Sequence, residues 1–311
     1  MKNYLLSLVV PIYGVERYIG QFAASVFSQR FEGVEFVFVN DGTKDRSMEV
    51  LEEVIESKFS HLRPHITIVH QQNMGLPQAR RTGFLAARGE YILCADSDDW
   101  LSEGALGKVV AEIERSGADL VYFDLVKEYG DHQSVKRERE YTAATRREFI
   151  RNIFNYRSAG YTVTKCFRRS LYTDNAIYTP RLSMHEDICL MAQIIFYAKS
   201  IVHLPEVLYH YRKDNPNALC SQSRTTRHLA SSRNLLGLYA NYKDHLEGSP
   251  IEDVAGGIAL RAGWHAIIHK CDLWSEFPWL REAVLGARTR CGYRTPLLFQ
   301  WATKIYARFF L

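Results

Sequence analysis

The first 125 residues alternate short apolar runs, rich in β-branched side chains, with segments of helical periodicity, and this alternation constrains the fold most. The runs typical of buried strands are 7–12, 34–39, 66–70, 91–95 and 119–125. Helical spacing covers 16–28, a segment from Asp45 or Ser47 to about 58, 78–87 and 103–116. Strand and helix at this cadence predict an α/β fold with a mostly parallel sheet flanked by helices.

Polar residues follow each of the first four predicted strands. These residues are Tyr13 and Glu16, then Asn40 and Asp41, then Asn73, and then Asp96, Asp98 and Asp99. In parallel sheets ligands bind beyond the carboxyl ends of the strands, where such side chains converge. The sequence therefore predicts a functional site at this edge.

The three carboxylates that end the fourth strand allow two interpretations. Asp96 and Asp98, one residue apart, point to the same side and can hold a hard divalent cation through oxygen ligands. The alternative is an acidic loop that begins the next helix, with Asp99 or Ser102 as its N-cap. This stretch alone leaves both interpretations open.

Composition places the chain among folded, soluble proteins. Its 311 residues are 47% hydrophobic and 24% charged, which is enough for two domains. The six cysteines lie far apart without a C-x-x-C pair, so we expect neither a zinc site nor a disulfide framework but a reducing cytoplasm. We also expect neither a signal peptide nor a membrane-spanning helix.

The net charge of +4 is concentrated in the tail. Residues 216–311 hold 12 Lys and Arg against 7 Asp and Glu, whereas residues 1–215 hold 27 against 28. A basic tail suits nucleic acid, anionic lipid or simple solubility. Because no nucleic-acid-binding motif accompanies it, we expect no nucleic-acid partner.

The strand pattern stops near residue 222, and helical spacing follows at 229–242, 251–271 and 278–288. We therefore predict a catalytic domain over 1–220 and a C-terminal α-helical extension over 221–311. His265 and His269 have the spacing of a zinc helix, but the glutamate that should follow the first histidine is absent, so we interpret them as packing histidines.

The last segment, 296–311, is amphipathic. One face carries Leu298, Trp301, Ile305 and Phe309, and another carries Gln300, Lys304 and Arg308. This pattern is typical of a helix docked on the core or of an interfacial helix resting on anionic lipid. The second interpretation predicts peripheral contact with the inner face of the cell membrane.

Four blocks of the sequence carry a family resemblance. They are Ser-Leu-Val-Val-Pro-Ile-Tyr-Gly at 7–14, Val-Asn-Asp-Gly-Thr at 39–43, Asn-Met-Gly-Leu-Pro-Gln-Ala-Arg at 73–80 and Gly-Glu-Tyr-Ile-Leu-Cys-Ala-Asp-Ser-Asp-Asp-Trp at 89–100. In order and spacing they resemble the family 2 glycosyltransferases, over roughly residues 4–215. The resemblance implies the GT-A fold, a nucleotide-sugar donor such as a UDP-sugar, Mg²⁺ or Mn²⁺, and inversion at the anomeric carbon. It also implies a saccharide or lipid-linked acceptor in surface polysaccharide or glycolipid synthesis.

The resemblance assigns roles on the donor side. Asp98 would bind the metal, Asp96 would lie near the ribose, and Asp41 would accept the imide N–H of uracil. The remaining assignments are a base-binding wall of Pro11 and Tyr13, with Glu16 and Arg80 near the nucleotide. For Glu16 the alternative is a first-turn helix acid, and for Arg80 it is a solvated helix face. Three departures, at Gly14, Asn40 and Arg81, leave the base preference open.

The resemblance also assigns the acceptor side. Inversion needs a base that takes the proton of the acceptor hydroxyl. In the family this base is the aspartate of a Glu-Asp pair, which here selects Asp187, with Glu186 orienting the acceptor and His185 as a lining or structural residue. Two acids that only stabilise a helix N-terminus are the alternative.

Three further residues are weaker candidates for contact with phosphates or acceptor. Lys165 would approach the diphosphate or the acceptor, or else would be a surface lysine. His210 and Arg212 lie in a block that in some relatives covers the donor phosphates. The alternative function for the whole chain is a partner subunit that binds a nucleotide sugar without catalysing transfer.

Overall fold

The structure, a computed structural model, describes residues 4–29, 32–216, 218, 223–288 and 297–309. The chain divides into two compact units. The sheet unit comprises Met1–Ala143, Tyr161–Ile177 and Tyr197–Pro216, and the helical unit comprises Ala144–Gly160, Tyr178–Phe196 and Asn217–Leu311.

Within the described residues, the sheet unit is built on nine strands. They are β1 Leu6–Ile12, β2 Val34–Asn40, β3 Ile66–His70, β4 Tyr91–Cys94, β5 Trp100–Leu101, β6 Leu120–Glu128, β7 Gln133–Lys136, β8 Lys165–Arg168 and β9 Ile201–Arg212. Their order across the sheet is β3-β2-β1-β4-β8-β6-β9-β5, with β7 paired to β6. Strands β1 to β4 are parallel, and β6 and β9 run the same way, whereas β5, β7 and β8 are antiparallel to their neighbours. The predicted mostly parallel α/β sheet is confirmed.

Twelve α-helices complete the described part of the chain. Those of the sheet unit are α1 Ile19–Phe27, α2 Ser47–Lys58, α3 Leu76–Ala86, α4 Ala105–Ser116 and α6 Ser170–Thr173. Those of the helical unit are α5 Arg146–Phe154, α7 Glu186–Tyr197, α8 Arg224–Tyr242, α9 Ala255–Ile268, α10 Leu273–Glu276, α11 Leu280–Gly286 and α12 Leu297–Phe309.

The core of the sheet unit lies between its strands and the flanking helices. All seven residues of β1 and all four of β4 are buried, as expected for central parallel strands covered on both faces. Helix α3 approaches β1 so closely that a Cβ on Gly83 would lie 2.3 Å from Cγ1 of Val9. The absence of a side chain at Gly83 therefore allows α3, which carries Arg80 one turn earlier, to pack on the sheet.

Some predicted boundaries differ from the structure. Helix α1 begins at Ile19 rather than at residue 16, and strands β5, β7 and β9 were not predicted. Strands β5 and β7 have only two and four residues, which carry too little periodicity. The predicted domain boundary at 220 and 221 lies outside the described residues. The division into 1–220 and 221–311 stays a prediction.

The C-terminal helix presents its apolar stripe to the surface. Leu298 and Phe309 are 74% and 71% exposed, and Trp301 and Ile305 are also exposed. The face packed within the helical unit instead carries the buried residues Gln300, Thr303 and Ala307. The helix therefore packs in the helical unit, but through this face and not through the apolar stripe. Residue 296 and residues 310–311 of the predicted segment lie outside the described residues.

Two smaller expectations concern cysteines and membrane spans. Among the described residues, Cys166, Cys189 and Cys271 are free thiols, and Cys94, Cys166 and Cys189 are buried. No helix within the described ranges is both long enough and apolar enough to cross a bilayer.

Candidate functional site

The loops that follow β1, β2 and β4 start side by side. Ile12 is in register with Asn40 of β2, and Val9 is in register with Cys94 of β4. Backbone bonds continue the ladder by one residue, from Asp41 N to Ile12 O at 3.0 Å and from Ala95 N to Val9 O at 3.0 Å. The polar residues after these strands therefore gather at one sheet edge, as predicted.

The Asp loop, residues 96–99, is held by strand β9, more than a hundred residues further along the chain. The hydroxyl of Tyr209 accepts a hydrogen bond from Asp96 N at 3.0 Å and donates to Oδ2 of Asp99 at 2.7 Å. Strand β5, just after the loop, pairs with β9, with Leu101 opposite Tyr209. A buried tyrosine thus ties both ends of the loop to one rigid strand.

Arg212 and Asn215 complete this attachment. The backbone N–H of Arg212 donates to Oδ1 of Asp99, and its Nε donates to the carbonyl of Asp98, each at 2.7 Å. Its guanidinium lies 4.8 Å from the ring centroids of both Tyr18 and Trp100, in cation–π geometry. The amide of Asn215 donates to Oδ2 of Asp98 at 2.7 Å. The orientation of the Asp98 carboxylate is therefore fixed by the segment that follows β9.

The electrostatics of the Asp loop disfavour three full negative charges. Burial, and then repulsion from Asp96, raise the pKa of Asp98. Burial, followed by the charges of Asp98 and Asp96, raises the pKa of Asp99 well above its usual range. Arg80 offsets part of this charge through a 2.8 Å ion pair with Oδ1 of Asp96. Closely spaced carboxylate oxygens fit a hard dication, which would relieve the repulsion.

No cluster of three or more His, Cys, Asp or Glu side chains suited to a metal occurs within the described ranges. A cation bound through Asp98 would therefore take further ligands from substrate and water. The helix-cap interpretation of Asp99 and Ser102 is wrong, because α4 starts after Gly104 without a side-chain cap. Asp99 instead accepts from Tyr209 and Arg212.

Asp41 is buried and connects two of the strand-end loops. Its Oδ1 accepts from Nε2 of Gln71 at 2.7 Å and from Met74 N at 2.9 Å, and its Oδ2 accepts from Gly75 N at 2.9 Å. Asp41 therefore shapes the loop before α3, a structural role that the sequence did not predict. Its contact with a nucleobase stays a prediction.

The predicted base wall has one buried and one exposed member. Pro11 is buried, and its carbonyl accepts from the Ser97 hydroxyl at 2.7 Å, which ties the end of β1 to the Asp loop. Tyr13 is 52% exposed. An uncovered aromatic ring beside a polar strand edge is the kind of surface on which a base stacks.

The structure corrects both alternatives for Glu16 and Arg80. Glu16 precedes α1 and accepts from the backbone N–H of Arg46 at the start of α2, at 3.1 Å, so it is not a first-turn acid of its own helix. Arg80 does not lie on a solvated face, since it is buried against Asp96. Arg81, its neighbour on α3, is exposed.

Lys165 and His210, two of the weaker candidates, make contacts within the sheet unit that hold their side chains in place. Lys165 is fully buried, and its Nζ donates to Tyr161 O at 3.1 Å and Thr164 Oγ1 at 3.2 Å, so the surface-lysine alternative is wrong. This burial argues against direct acceptor contact. The ring of His210 stacks on Trp100, and its Nδ1 lies 2.7 Å from Glu128 Oε1.

Glu186 and Asp187 belong to the helical unit, where they form the first turn of α7, as predicted. Both are partly buried. His185, directly before them, has a backbone φ of 59°. The pair therefore starts from an unusual backbone turn rather than from an ordinary cap.

The histidines of the rejected zinc motif pack as predicted. His265 is buried, its Nδ1 lies 2.8 Å from Ser232 Oγ, and its ring stacks on His228 at 4.3 Å. Burial, and then the charges of His228 and Arg261, hold the pKa of His265 at about 3. The stacked rings of His265 and His228 are therefore neutral near neutral pH.

Tyr209 and Asn215 are the site residues that sequence reasoning missed. Tyr209 lies in an apolar strand and Asn215 follows it in a polar stretch, so neither has a local signal. Their role depends on contacts more than a hundred residues away along the chain.

The model of the family described as glycosyl transferase family 2 matches residues 7–173. This span is more than half of the chain and includes the strand-end loops and the Asp loop. The chain belongs to glycosyltransferase family 2.

Curated relatives match over part of their length. EpsJ of Bacillus subtilis, described as an uncharacterized glycosyltransferase, is 31% identical over 221 residues, covering 69% of this chain and 62% of EpsJ. TarS of Staphylococcus aureus, a poly(ribitol-phosphate) beta-N-acetylglucosaminyltransferase, is 30% identical over 212 residues, covering 66% of this chain and 35% of TarS. The match thus spans less than two thirds of either relative.

Solved structures share the fold. Residues 1–349 of S. aureus TarS in complex with UDP-GlcNAc superpose with a TM-score of 0.68 at 20% identity, covering 97% of this chain and 89% of that fragment. The mannosyltransferase PcManGT of Pyrobaculum calidifontis, in complex with GDP-Man and Mn²⁺, gives a TM-score of 0.54 at 14% identity, covering 99% and 88%. The fold is GT-A with additional C-terminal helices.

Proposed function

We propose that this protein is an inverting, metal-dependent glycosyltransferase that moves a sugar from a nucleotide-sugar donor to a hydroxyl of a saccharide or lipid-linked acceptor. Family membership supports glycosyl transfer as the reaction class. One observation carries the finer proposal: the Asp96–Asp98 pair lies at the carboxyl edge of the sheet, with Asp98 held by Asn215 and Asp96 by Arg80. We assign the catalytic domain to residues 1–220 and the helical extension to 221–311.

On the donor side, the ring of Tyr13 and the end of β1 at Pro11 would receive the base, with Asp41 beside them. Asp96 and Arg80 would contact the ribose and adjacent phosphate, with Glu16 near the nucleotide. TarS, which shares the fold, binds UDP-GlcNAc, and this favours a UDP-sugar.

Asp98 would hold Mg²⁺ or Mn²⁺, which, when bound, offsets the negative charge that grows on the departing nucleoside diphosphate. The chain's own contribution is to fix the Asp98 carboxylate through Asn215 and the Asp98 backbone carbonyl through Arg212, so that no reorganisation is needed during the reaction. PcManGT, with the same fold, binds Mn²⁺.

Asp187 is the proposed general base. It takes the proton of the acceptor hydroxyl while that oxygen forms a bond to the anomeric carbon and the bond to the diphosphate breaks, so the electron pair leaves with the nucleotide. Glu186 would orient the acceptor. Lys165, His210 and Arg212 are the weaker candidates, and the contacts of the first two favour support of the fold.

The proposed process is surface polysaccharide or glycan synthesis in the cytoplasm, at the inner face of the membrane. TarS is, by its name, a poly(ribitol-phosphate) beta-N-acetylglucosaminyltransferase, and poly(ribitol-phosphate) is a polymer whose ribitol units carry hydroxyl groups. Membrane contact would use the exposed stripe of α12, since exposed Trp301 and Phe309 beside the exposed, basic Arg308 suit an anionic lipid surface. Scattered cysteines fit a reducing compartment.

A thermal-shift panel of UDP-, GDP- and dTDP-sugars with and without Mn²⁺ tests the donor assignment. A ligand that binds the native state raises Tm, because it increases the free energy of unfolding. At a ligand concentration of a hundred times Kd this increase is about 2.7 kcal/mol. We expect the largest shift with a UDP-sugar and Mn²⁺ together, followed by transfer of that sugar to a polyol- or lipid-linked acceptor. Stabilisation without transfer or hydrolysis, for every donor and acceptor, would instead identify a binding subunit.

A further inference from the structure

The residue before the proposed base has a backbone conformation that side chains seldom adopt. His185 has φ of 59°, in the left-handed region, although its carbonyl accepts the α7 backbone bond from Cys189 N at 3.0 Å. Residues at this N-cap position normally have extended backbone. A non-glycine residue in the left-handed region persists only where its surroundings enforce it, and such residues cluster at functional sites.

The imidazole ring of His185 is held from both nitrogens. Its Nδ1 lies 2.5 Å from Oγ of Ser231, a buried residue of α8, and its Nε2 lies 3.2 Å from the hydroxyl of Tyr156, which follows α5. Helix α8 and the segment after α5 thus each provide one hydrogen bond that fixes the orientation of the ring. Both contacts persist with a neutral imidazole, since each hydroxyl can donate or accept.

Tyr156 is itself held in the same unusual way. Its φ is 58°, and the Arg261 guanidinium of α9 lies 5.5 Å from its ring centroid. The described part of the chain has three non-glycine residues with positive φ. Two of them, Tyr156 and His185, are hydrogen-bonded to each other, and His185 directly precedes Glu186. A direct hydrogen bond between two residues that both have this seldom-adopted backbone indicates a functional constraint on the turn before α7.

The charge state of His185 agrees with this arrangement. Burial and then the charge of Arg261 lower the pKa of His185 to about 4. Asp187 has a smaller opposing effect, and His228 lowers the pKa slightly further. The ring is therefore neutral at physiological pH, the state in which both hydroxyl contacts are possible.

We infer that His185 is a positioning residue, held by Tyr156 and Ser231, that fixes the backbone turn from which Asp187 projects. The inference rests on the proposed role of Asp187 as base. A general base must be fixed closely, because a displacement of about 1 Å can cost about 100-fold in rate. The ring does not touch the reacting atoms in this role. It acts through the first turn of α7.

The test compares H185G, S231A and Y156F with H245A, which changes an exposed histidine after α8. H185G removes the ring while glycine accepts the positive φ without strain, so it separates the ring from the backbone conformation. The readouts are amide hydrogen exchange across residues 185–190, kcat, and KM for the donor. Exchange does not depend on activity.

We expect faster exchange at the first turn of α7 and a kcat lower by about 10- to 100-fold in H185G and S231A, with donor KM changed less than about twofold. Y156F should show the same pattern more weakly, and H245A should match the wild type. D187N should lose kcat without faster exchange, which separates a lost base from a misplaced one.

Wild-type exchange and kcat in a folded H185G would overturn the inference. If H185G fails to fold, S231A and Y156F decide in the same way. If the wild-type protein transfers no sugar, the proposed function fails, whereas unchanged exchange in the variants still refutes the positioning role on its own.

Discussion

The side-chain amide of Asn215 donates a 2.7 Å hydrogen bond to Oδ2 of Asp98, although 117 positions separate the two residues in sequence. Together with Arg212 Nε on the Asp98 carbonyl and the Tyr209 hydroxyl between Asp96 and Asp99, this bond makes β9 and the residues after it the support of the Asp loop. The proposed metal ligand is thus oriented by a distant strand rather than by its own loop.

N215A should weaken nucleotide binding in the presence of metal. A hydrogen bond to a charged group contributes about 1.5–3 kcal/mol, so we expect the Kd for UDP with Mn²⁺ to rise by roughly 10- to 100-fold. Isothermal titration calorimetry measures it. The matched control is N175A, which removes an amide that donates to the Leu171 carbonyl beside α6. An unchanged Kd in a folded N215A would refute the orienting role.

D98N should stabilise the protein in the absence of metal. The pKa of Asp98 in the folded state is above the ordinary value of 3.8, because of burial and then Asp96. The folded state therefore holds this proton more tightly, and wild-type stability falls as pH rises from 3.8 through the raised pKa. We expect Tm of D98N to exceed that of the wild type by a few degrees at pH 7 and the gap to close toward about pH 4.

The same variant should no longer be stabilised by Mn²⁺ with UDP. Wild-type Tm should rise on adding both, because the cation offsets the buried charge. Equal stabilisation of D98N and the wild type would show that the cation binds elsewhere.

D187N should remove catalysis and spare donor binding. Loss of a general base costs about 10²–10⁴-fold in kcat, while the Kd for UDP with Mn²⁺ should stay within about twofold. E186Q, in the same helical turn, is the matched control and should lose less. Full activity of D187N would assign the base to another residue.

Y209F should destabilise the fold around the Asp loop. It removes the hydroxyl that donates to Asp99 and accepts from Asp96 N, and leaving buried partners unpaired costs roughly 1–3 kcal/mol. Urea unfolding measures the loss. Y239F, which alters a tyrosine stacked on Trp279, should change stability less. Equal losses in the two variants would mean that the Tyr209 hydroxyl is not a special support.

The α12 stripe should bind anionic vesicles. Cosedimentation with phosphatidylglycerol vesicles should weaken at high salt and disappear in the W301S/F309S double variant. L85S, which alters an exposed leucine of α3 in the sheet unit, is the control and should bind as the wild type does. Wild-type binding by W301S/F309S would exclude the stripe as the contact.

Much of this protein followed from local sequence. Apolar runs of five to seven residues between helical segments predicted the parallel strands, because hydrophobic periodicity is set by each strand's own neighbours. The carboxyl ends of those strands predicted where Asp41, Asp96 and Asp98 would gather, since parallel strands share one edge. The first turn of α7 at Glu186 and Asp187 was likewise visible from an acidic pair before an amphipathic run.

Other features depended on contacts that no local pattern records. Burial of Lys165, the three bonds accepted by Asp41 and the exposed apolar face of α12 were decided by what packs against each residue. The hydrogen bonds of His185 with Tyr156 and Ser231 join segments that lie 29 and 46 positions away in sequence. The sequence by itself therefore determined the parallel strands β1 to β4 and β6, their order along the chain and the residue types at their ends. Only the tertiary structure decided which carboxylates are held in a fixed orientation and which side chains hold them. Hydrogen bonds such as those from Tyr209 and Asn215 form only when distant segments pack together.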